Sequence, residues 1–531
     1  MEHGLGQCIL LGAGIGDPGL LTRVGADWLA RAEVVVYDRL IPPALLALAP
    51  VSAEKIYVGK QADAHAMEQE QINQFLVDRV RRGRLVVRLK GGDPFLFGRG
   101  GEEASALRSA RLPFRVVPGV TAALAGGACA GIPLTDRRHA SSVAFVTGHE
   151  EPGKGDSTID WSALAGIDTV VFYMGVGQLA TIAERLMAAG RSADLPVAVI
   201  QQVASPRQRV LVGTLGSIAE QARRAGVEPP AITIVGEVVR LREELAWFDH
   251  LPLFGQTVLV TRSRQQASEL SAALAERGAE VIECPTIEID PVDASVDLRA
   301  WLDQTRQSAE EADAAGGARI RRVLALTSPN GARRLAENLD RLGLDGRSLA
   351  GVELAAIGPG TEAALRTAGL RADVLPTTFT AHALAGRLLE WLGPDSRRAR
   401  VLLARAEIGS PELSQPLADA GATVTDLPLY RTRCPAAFPP EAAAALAAGR
   451  VDWLTFASSS TVTNFFTLAE RAAQAGQPVD LSGVRVAAIG PVTADTALRH
   501  GLSVDAHPTD HTIAGLVEAI VRGQRQATSD K

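Results

Sequence analysis

The segment Val86-Val-Arg-Leu-Lys-Gly-Gly-Asp-Pro-Phe-Leu-Phe-Gly-Arg-Gly-Gly-Glu-Glu103 runs from an apolar, β-rich stretch into a Gly-Gly-Asp-Pro turn, then through a second glycine-rich loop into a helical run. Gly91 and Gly92 allow main chain to approach a ligand closely, and Asp93 brings a carboxylate to the same turn. That combination suits a small molecule held largely by backbone groups. A second glycine turn, Gly12-Ala-Gly-Ile-Gly-Asp17, does not fit the dinucleotide-binding fingerprint, because its sixth position is Asp instead of Gly. Alone, it is explained equally well as a tight strand-to-helix turn. It is not alone: Pro118-Gly-Val-Thr-Ala122, Gly131-Ile-Pro-Leu-Thr135, Thr147-Gly-His149 and Tyr173-Met-Gly175 also follow or abut strand-like runs. Ligand-binding residues gather at strand ends in α/β folds.

The elements that would carry these turns repeat one form. Cys8–Leu11, Val34–Tyr37, Leu85–Leu89, Phe114–Val117, Val143–Thr147 and Thr169–Tyr173 are short apolar runs separated by Ala-rich helical stretches, the first of them from about Gly19 to Ala30. Pro196–Gln201 and Ala231–Val235 add later strands. At 531 residues the chain exceeds one core. The balance of 54 basic and 60 acidic residues, net −6, argues against a general nucleic-acid or acidic-membrane binder, so an acidic substrate needs local Arg and Lys clusters. Four cysteines, 8, 129, 284 and 434, stand far apart without metal-ligand spacing and read as small buried hydrophobes of a reducing compartment. No stretch has the form of a signal peptide or a membrane span. The expectation is a cytoplasmic, multidomain α/β protein.

The second half is internally duplicated. Val258-Leu-Val-Thr-Arg262 recurs as Val401-Leu-Leu-Ala-Arg405, Leu326-Thr-Ser328 as Phe456-Ala-Ser458, and Ala355-Ala-Ile-Gly-Pro-Gly-Thr361 as Ala487-Ala-Ile-Gly-Pro-Val-Thr493. Two related α/β lobes with a central cleft are expected. Gln304–Gly317 reads as an exposed insertion, and 523–531 as a disordered tail.

Taken together, the first-half motifs closely resemble the uroporphyrinogen-III C-methyltransferases, over about Gln7 to Phe248. The duplicated half resembles uroporphyrinogen-III synthase, over about Phe254 to Val521, through Val260-Thr-Arg262, Thr327-Ser-Pro-Asn330, Pro428-Leu-Tyr-Arg431, Ala457-Ser-Ser-Ser460 and the two Gly-Pro loops. The first resemblance implies S-adenosylmethionine as cofactor, contacted by Ile15, Gly91, Gly92, Asp93, Leu96, Thr121, Ala122 and Met174, with Asp38 and Lys60 as the acid–base pair. Val203 stands where relatives can have glycine and is left out of that set. Without the resemblance, Asp38 reads as a strand-end carboxylate and Lys60 as a surface amine. Arg39, Lys60, Arg88, Arg99 and Arg137 are candidates by neighbourhood for an octacarboxylate substrate. The second resemblance implies closure of hydroxymethylbilane, with Tyr430 assisting hydroxide departure and Ser328, Thr361, Arg405, Ser458, Ser459 and Thr493 binding substrate. Tyr430 could equally be a core tyrosine, and the serines could be helix caps.

The expected architecture is a tetrapyrrole-methylase-type two-subdomain α/β unit followed by a duplicated two-domain synthase. Its boundaries are 1–248, a linker 249–256, and 257–522, the latter in lobes 257–288 plus 432–522 and 289–431. The expected partners are small tetrapyrrole substrates, with no nucleic acid, membrane or metal, and a homodimer through the methyltransferase half. Because residue 7 already begins the first strand, no additional dehydrogenase–ferrochelatase module is expected. Two alternatives remain: a non-catalytic tetrapyrrole-binding second half, and an S-adenosylmethionine-dependent enzyme acting on another substrate.

Overall fold

The computed structural model describes residues 6–59, 67–148, 158–262, 264–314 and 320–529. They fall into two compact units, one of residues 1–258, 272–281 and 520–531, the other of 259–271 and 282–519.

The short apolar runs become strands because each is flanked by turns and carries β-branched residues that tolerate burial on both faces. Strands β1 (Gln7–Gly12), β2 (Val34–Tyr37), β3 (Glu54–Tyr57), β4 (Leu85–Lys90) and β5 (Phe114–Val117) form one sheet in the order β3-β2-β4-β1-β5. Its paired neighbours are parallel, so the turns at Gly12, Asp38, Gly91 and Pro118 all emerge at one edge. Strands β6 (Val143–Thr147), β7 (Thr169–Tyr173), β8 (Pro196–Gln201), β9 (Arg209–Thr214) and β10 (Ala231–Val235) form a mixed sheet in the order β6-β7-β10-β8-β9. The first helix begins at Arg23 instead of Gly19. Asp17 and Pro18 start a 3-10 turn, and Thr22 caps the helix by accepting from the Gly25 N–H at 3.1 Å.

In the duplicated half, β11 (Thr257–Val260), β12 (Glu280–Glu283), β13 (Glu288–Pro291), β14 (Arg322–Leu326), β15 (Val352–Ala356), β16 (Arg400–Ala406), β17 (Thr423–Arg433), β18 (Trp453–Phe456) and β19 (Arg485–Ala488) form two sheets, ordered β12-β11-β18-β19 and β13-β17-β16-β14-β15. Neither sheet corresponds to one copy of the duplication: each combines strands from both. The copies nevertheless keep the same local wiring. The Leu354 N–H donates to Asp373 and the Val486 N–H to Asp505, both at 2.8 Å. Ala355 bridges Val374, as Ala487 bridges Ala506.

Up to Ala314 the expected exposed insertion is helical, continuing Ser295–Ala314, with Thr305 buried and most described neighbours exposed or partly so. One expectation changes. The polar end is helical through Ser529, within the helix Ile513–Ser529, where a disordered tail from Gly523 is expected. Its Gln, Arg and Ala residues are good helix formers and need only follow an established nucleus. Cys8 and Cys284 are buried and Cys129 and Cys434 partly so; burial pushes the Cys284 thiol up to about 12 and Cys129 up to about 11, consistent with inert packing residues. Among the described residues no acidic, His or Cys cluster could hold a metal, and no helix is long and apolar enough to cross a membrane.

Candidate functional site

The glycine turns meet at the edge of the first sheet. Gly14 and Gly92 exchange backbone hydrogen bonds, Gly92 N–H to Gly14 O at 2.7 Å and Gly14 N–H to Gly92 O at 3.3 Å. A methyl group on Gly12 would stand 2.5 Å from the Gly119 nitrogen, and one on Gly119 would stand 2.2 Å from the Gly92 carbonyl. Three turns separated by up to 107 positions of chain therefore touch through main chain, which only glycine permits. Asp93 fastens the arrangement: one oxygen accepts from the Phe95 N–H at 2.8 Å, the other from the Gly119 N–H at 3.1 Å. Gly92 adopts φ 70°, and its α-carbon faces Thr121.

The apolar side of this cradle comes from Ile15, Leu96 and Ala122, which pack against one cluster containing Ala123, Tyr173 and Val203. The Tyr173 hydroxyl lies 2.7 Å from Thr121 Oγ1 and accepts from the Ala123 N–H at 3.0 Å, tying β7 to the turn after β5. Burial raises the Tyr173 pKa, against the pull of those two bonds. Met174, next in sequence, is exposed at φ 53°. Phe97, Arg99, Gln202 and Ala204 also hold positive φ, leaving Arg111 as the remaining described non-glycine case. Such backbone costs about 1–3 kcal/mol per residue and concentrates at functional loops. All cofactor candidates thus come to one region. Val203, which the motif pattern leaves out of that set, belongs beside them, since a methyl group on Gly16 would stand 2.2 Å from its carbonyl.

Asp38 follows β2 on the same edge. Its carboxylate accepts from Arg88 at 2.8 Å, and Arg88 is almost fully buried. This corrects the expectation that Arg88 lines a substrate entrance: its guanidinium is committed within the fold. Arg88 Nε and Lys90 Nζ both donate to one oxygen of Glu103, at 3.0 and 2.9 Å. Burial and the charge of Arg88 lower the Lys90 pKa, partly offset by Glu103. Arg99 is paired with Glu102 at the surface. Lys60 and His149 lie outside the described residues; Gly59, just before Lys60, approaches the backbone of Arg39.

In the duplicated half the candidates gather in two sets. Ser328 caps the helix Pro329–Arg341, accepting from the Gly331 N–H at 3.0 Å, while its hydroxyl lies 2.8 Å from that of Tyr430. Tyr430 is only 6% exposed and packs in the lobe core, so its ring is structural and only its hydroxyl is placed for other work. Thr361 lies in the first turn of the neighbouring helix Pro359–Thr367. The second set repeats this design: Ser458 caps Ser459–Gln474 through the Thr461 N–H, and Ser459 donates to the Val492 carbonyl at 3.2 Å, beside Thr493. Arg405 differs from its expected role. It donates to Asp426 at 2.6 Å and to the Ser410 carbonyl at 2.7 Å, an internal clamp. Its counterpart Arg262 is half-buried, with no hydrogen bond or ion pair among the described residues, and burial lowers its pKa.

Residues 7–219 match the tetrapyrrole (corrin/porphyrin) methylase family, and residues 268–518 match uroporphyrinogen-III synthase HemD. Across both regions, the chain is 36% identical over 503 residues to the porphyrin biosynthesis protein HemD of Ruminiclostridium josui, covering 94% of this chain and 95% of that protein. The chain belongs to the family of tetrapyrrole methylases fused to a uroporphyrinogen-III synthase. The methylase half is 52% identical over 246 residues to siroheme synthase of Stutzerimonas stutzeri, a match covering 46% of this chain; the chain spans about half the length of that relative, 52%. Among solved structures, the uroporphyrin-III C-methyltransferase of Thermus thermophilus is 42% identical, covering 44% of this chain and 94% of its own, with TM-score 0.39. Methylase and synthase regions therefore follow one another in a single chain, and the glycine cradle and the hydroxyl-capped helices each lie largely within one of them.

Proposed function

We propose that residues 1–248 methylate uroporphyrinogen III twice to give precorrin-2, and that residues 257–522 make that substrate from hydroxymethylbilane with inversion of the last ring; residues 249–256 join them. The observation that carries the methyltransferase reading is the cradle in which Gly12, Gly92 and Gly119 touch through main chain beneath Asp93 and Thr121. A side chain at Gly12 or Gly119 would strike the main chain of a neighbouring turn, so the close approach of these turns, with Asp93 above them and Ile15, Leu96 and Ala122 on the apolar side, supports a site that fits S-adenosylmethionine. Ile15, Gly91, Gly92, Asp93, Leu96, Thr121, Ala122 and Met174 would hold it. When bound, it supplies a methyl group on a positively charged sulfur. The protein's part is to orient the pyrrole carbon and to move protons on the ring system, for which Asp38 and Lys60 are the acid–base pair.

The synthase half works with less. Its substrate loses hydroxide readily and closes to the wrong isomer unaided, so catalysis consists mainly of holding the linear chain in the productive fold. Ser328, Thr361, Ser458, Ser459 and Thr493 stand at helix starts, whose N–H groups suit carboxylates. The Tyr430 hydroxyl can donate a proton to departing hydroxide.

The test is anaerobic incubation of the purified chain with fresh hydroxymethylbilane, with and without S-adenosylmethionine, followed by isomer separation and mass analysis. Isomer III without cofactor and a doubly methylated product with it are expected. Isomer I alone would overturn the synthase reading and leave the second half a binding module. Absence of methylation of supplied uroporphyrinogen III would overturn the methyltransferase reading in favour of another substrate.

A further inference from the structure

β4 lies between β2 and β1 in the first sheet, where both faces are covered and aliphatic residues are expected. Its alternate residues Val87 and Leu89 meet that expectation on one face. On the other face Val86 is followed by Arg88 and Lys90, 2% and 4% exposed, covered by the helix Gly100–Ser109, which contributes Ala104, Leu107 and the fully buried Glu103. Two cations and one carboxylate thus occupy positions that would otherwise be core.

The geometry is continuous from the core to the site. One Glu103 oxygen accepts from Arg88 Nε at 3.0 Å, from Lys90 Nζ at 2.9 Å and from Gln69 Nε2 at 3.4 Å; its other oxygen is buried with no partner among the described residues. The far end of Arg88 donates to Asp38 Oδ1 at 2.8 Å, and the Asp38 side chain is 33% exposed. The four groups sum to zero charge, and just one of them reaches the surface, at the sheet edge where the ligand turns gather. Buried ion pairs are commonly no better for stability than aliphatic residues of similar volume. Four charges in a row that end on one accessible carboxylate are therefore better explained by orientation of that carboxylate than by cohesion of the core.

We propose that Lys90 and Glu103 are positioning residues for methyl transfer: they hold Arg88 in one pose, and Arg88 fixes the carboxylate of Asp38. This rests on the methyltransferase reading above. Held only by Asp38 and by long contacts to the Val36 and Leu89 carbonyls, at 3.4 and 3.5 Å, Arg88 could still shift along its long side chain; anchored at Nε by Glu103, with Lys90 balancing the added charge, it presents one N–H edge to the site. Displacement of about 1 Å at a reacting centre can cost roughly 100-fold in rate.

The experiment uses the full chain, first as wild type on supplied uroporphyrinogen III, then as Glu103→Gln and as the double variant Lys90→Met/Glu103→Leu. The double variant removes a cation and an anion together and refills their volume, so it tests the idea even if Glu103→Gln alone leaves excess buried charge and fails to fold. The expected result is a methyl-transfer kcat about 10- to 100-fold lower, KM and calorimetric affinity for S-adenosylmethionine within about twofold of wild type, a native melting temperature, and unchanged closure of hydroxymethylbilane. A double variant with wild-type kcat would overturn the inference, as would equal losses in kcat and cofactor affinity, or failure of both variants to fold. Wild type that transfers no methyl to uroporphyrinogen III is a different outcome: there the substrate reading fails and the inference falls with it.

Discussion

The two halves reach function by opposite routes. The methylase half brings main chain from several turns into contact, places charge inside the sheet, and holds five non-glycine residues at positive φ in the loops after β4, β7 and β8. The synthase half keeps ordinary backbone at its candidate positions and uses hydroxyls that also cap helices. The difference follows from the two reactions proposed. Methyl transfer needs two molecules and a proton-moving group held at short range, which demands fixed geometry; ring closure needs the right fold of one reactive chain, which many weak contacts can impose. Specialised residues should therefore be individually costly to lose in the first half and individually cheap in the second.

The strongest attack on this contrast is Asp38→Asn. Loss of a positioned acid–base group should lower methyl transfer about 10²- to 10⁴-fold while leaving closure of hydroxymethylbilane at the wild-type rate. Both activities measured on one preparation decide it: parallel losses would mean general damage to the protein, and an unaffected methyl-transfer rate would remove Asp38 from the site.

Glycine positions offer the next test. Gly119→Ala puts a methyl group 2.2 Å from the Gly92 carbonyl and should cut methyl transfer roughly 100-fold with weakened S-adenosylmethionine binding by calorimetry. In the duplicated half, Gly360 has its nearest neighbour at 3.6 Å, an ordinary contact, so Gly360→Ala should change closure by less than about twofold. Equal sensitivity at both positions would end the distinction between a rigid cradle and a permissive cleft.

The same distinction explains how much of the molecule is legible in its sequence. A cradle built on steric necessity leaves Gly-Gly-Asp-Pro and its companions in order, so the resemblance they carry implies Ile15, Gly91 to Asp93, Leu96, Thr121, Ala122 and Met174 as cofactor contacts, and the fold packs Ile15, Leu96 and Ala122 against one cluster and sets Gly92 facing Thr121. Strands are legible where apolar residues dominate a run of four or more. Glu54–Tyr57 and Arg209–Thr214 are not, because they lie at sheet edges where half the residues face outward. Arg88 has the look of a surface cation, since a one-dimensional sequence does not show that Glu103 and Asp38 enclose it. Its apolar neighbours Val87 and Leu89 are the available signal: a charge inside an apolar strand run is either an edge residue or a buried pair. Arg405 departs from expectation for a related reason, because its partner Asp426 is 21 positions away on the adjacent strand.

Tyr430 tests whether any single group matters strongly in the second half. Tyr430→Phe keeps the buried ring and removes only the hydroxyl shared with Ser328. The structural cost should be near that of one hydrogen bond, about 1 kcal/mol, and closure should slow by no more than about tenfold, with the fraction of isomer I rising. A loss of about 10³-fold or more, measured by isomer analysis after brief incubation, would put a dedicated acid in this half and bring it closer to the methylase half.

The smallest effect separates two arginines that the duplication made equivalent. Arg405 is held by Asp426 and the Ser410 carbonyl, and a methyl group on Gly409 would stand 2.4 Å from its guanidinium, so that loop is fitted around the side chain. Arg262 occupies the matching strand end, but Glu283, which matches Asp426, instead accepts from the Ser271 hydroxyl at 3.1 Å. The duplicated positions have therefore parted: one arginine has become a clamp, and the other, near the charge of Glu269, has no hydrogen bond or ion pair among the described residues and lies in a half-buried place where a carboxylate would be welcome. Arg405→Ala should lower the melting temperature by a few degrees, as expected for loss of charged hydrogen bonds worth about 1.5–3 kcal/mol, with KM for hydroxymethylbilane little changed. Arg262→Ala should leave the melting temperature alone and raise that KM about fivefold, since one charge-assisted contact to an eight-carboxylate substrate is lost among several. The pair of measurements is informative because the residues share type, strand position and place in the repeated pattern; only their partners differ. Should Arg262→Ala destabilise the fold as much as Arg405→Ala, both are clamps, and the synthase half binds its substrate through helix starts and hydroxyls alone.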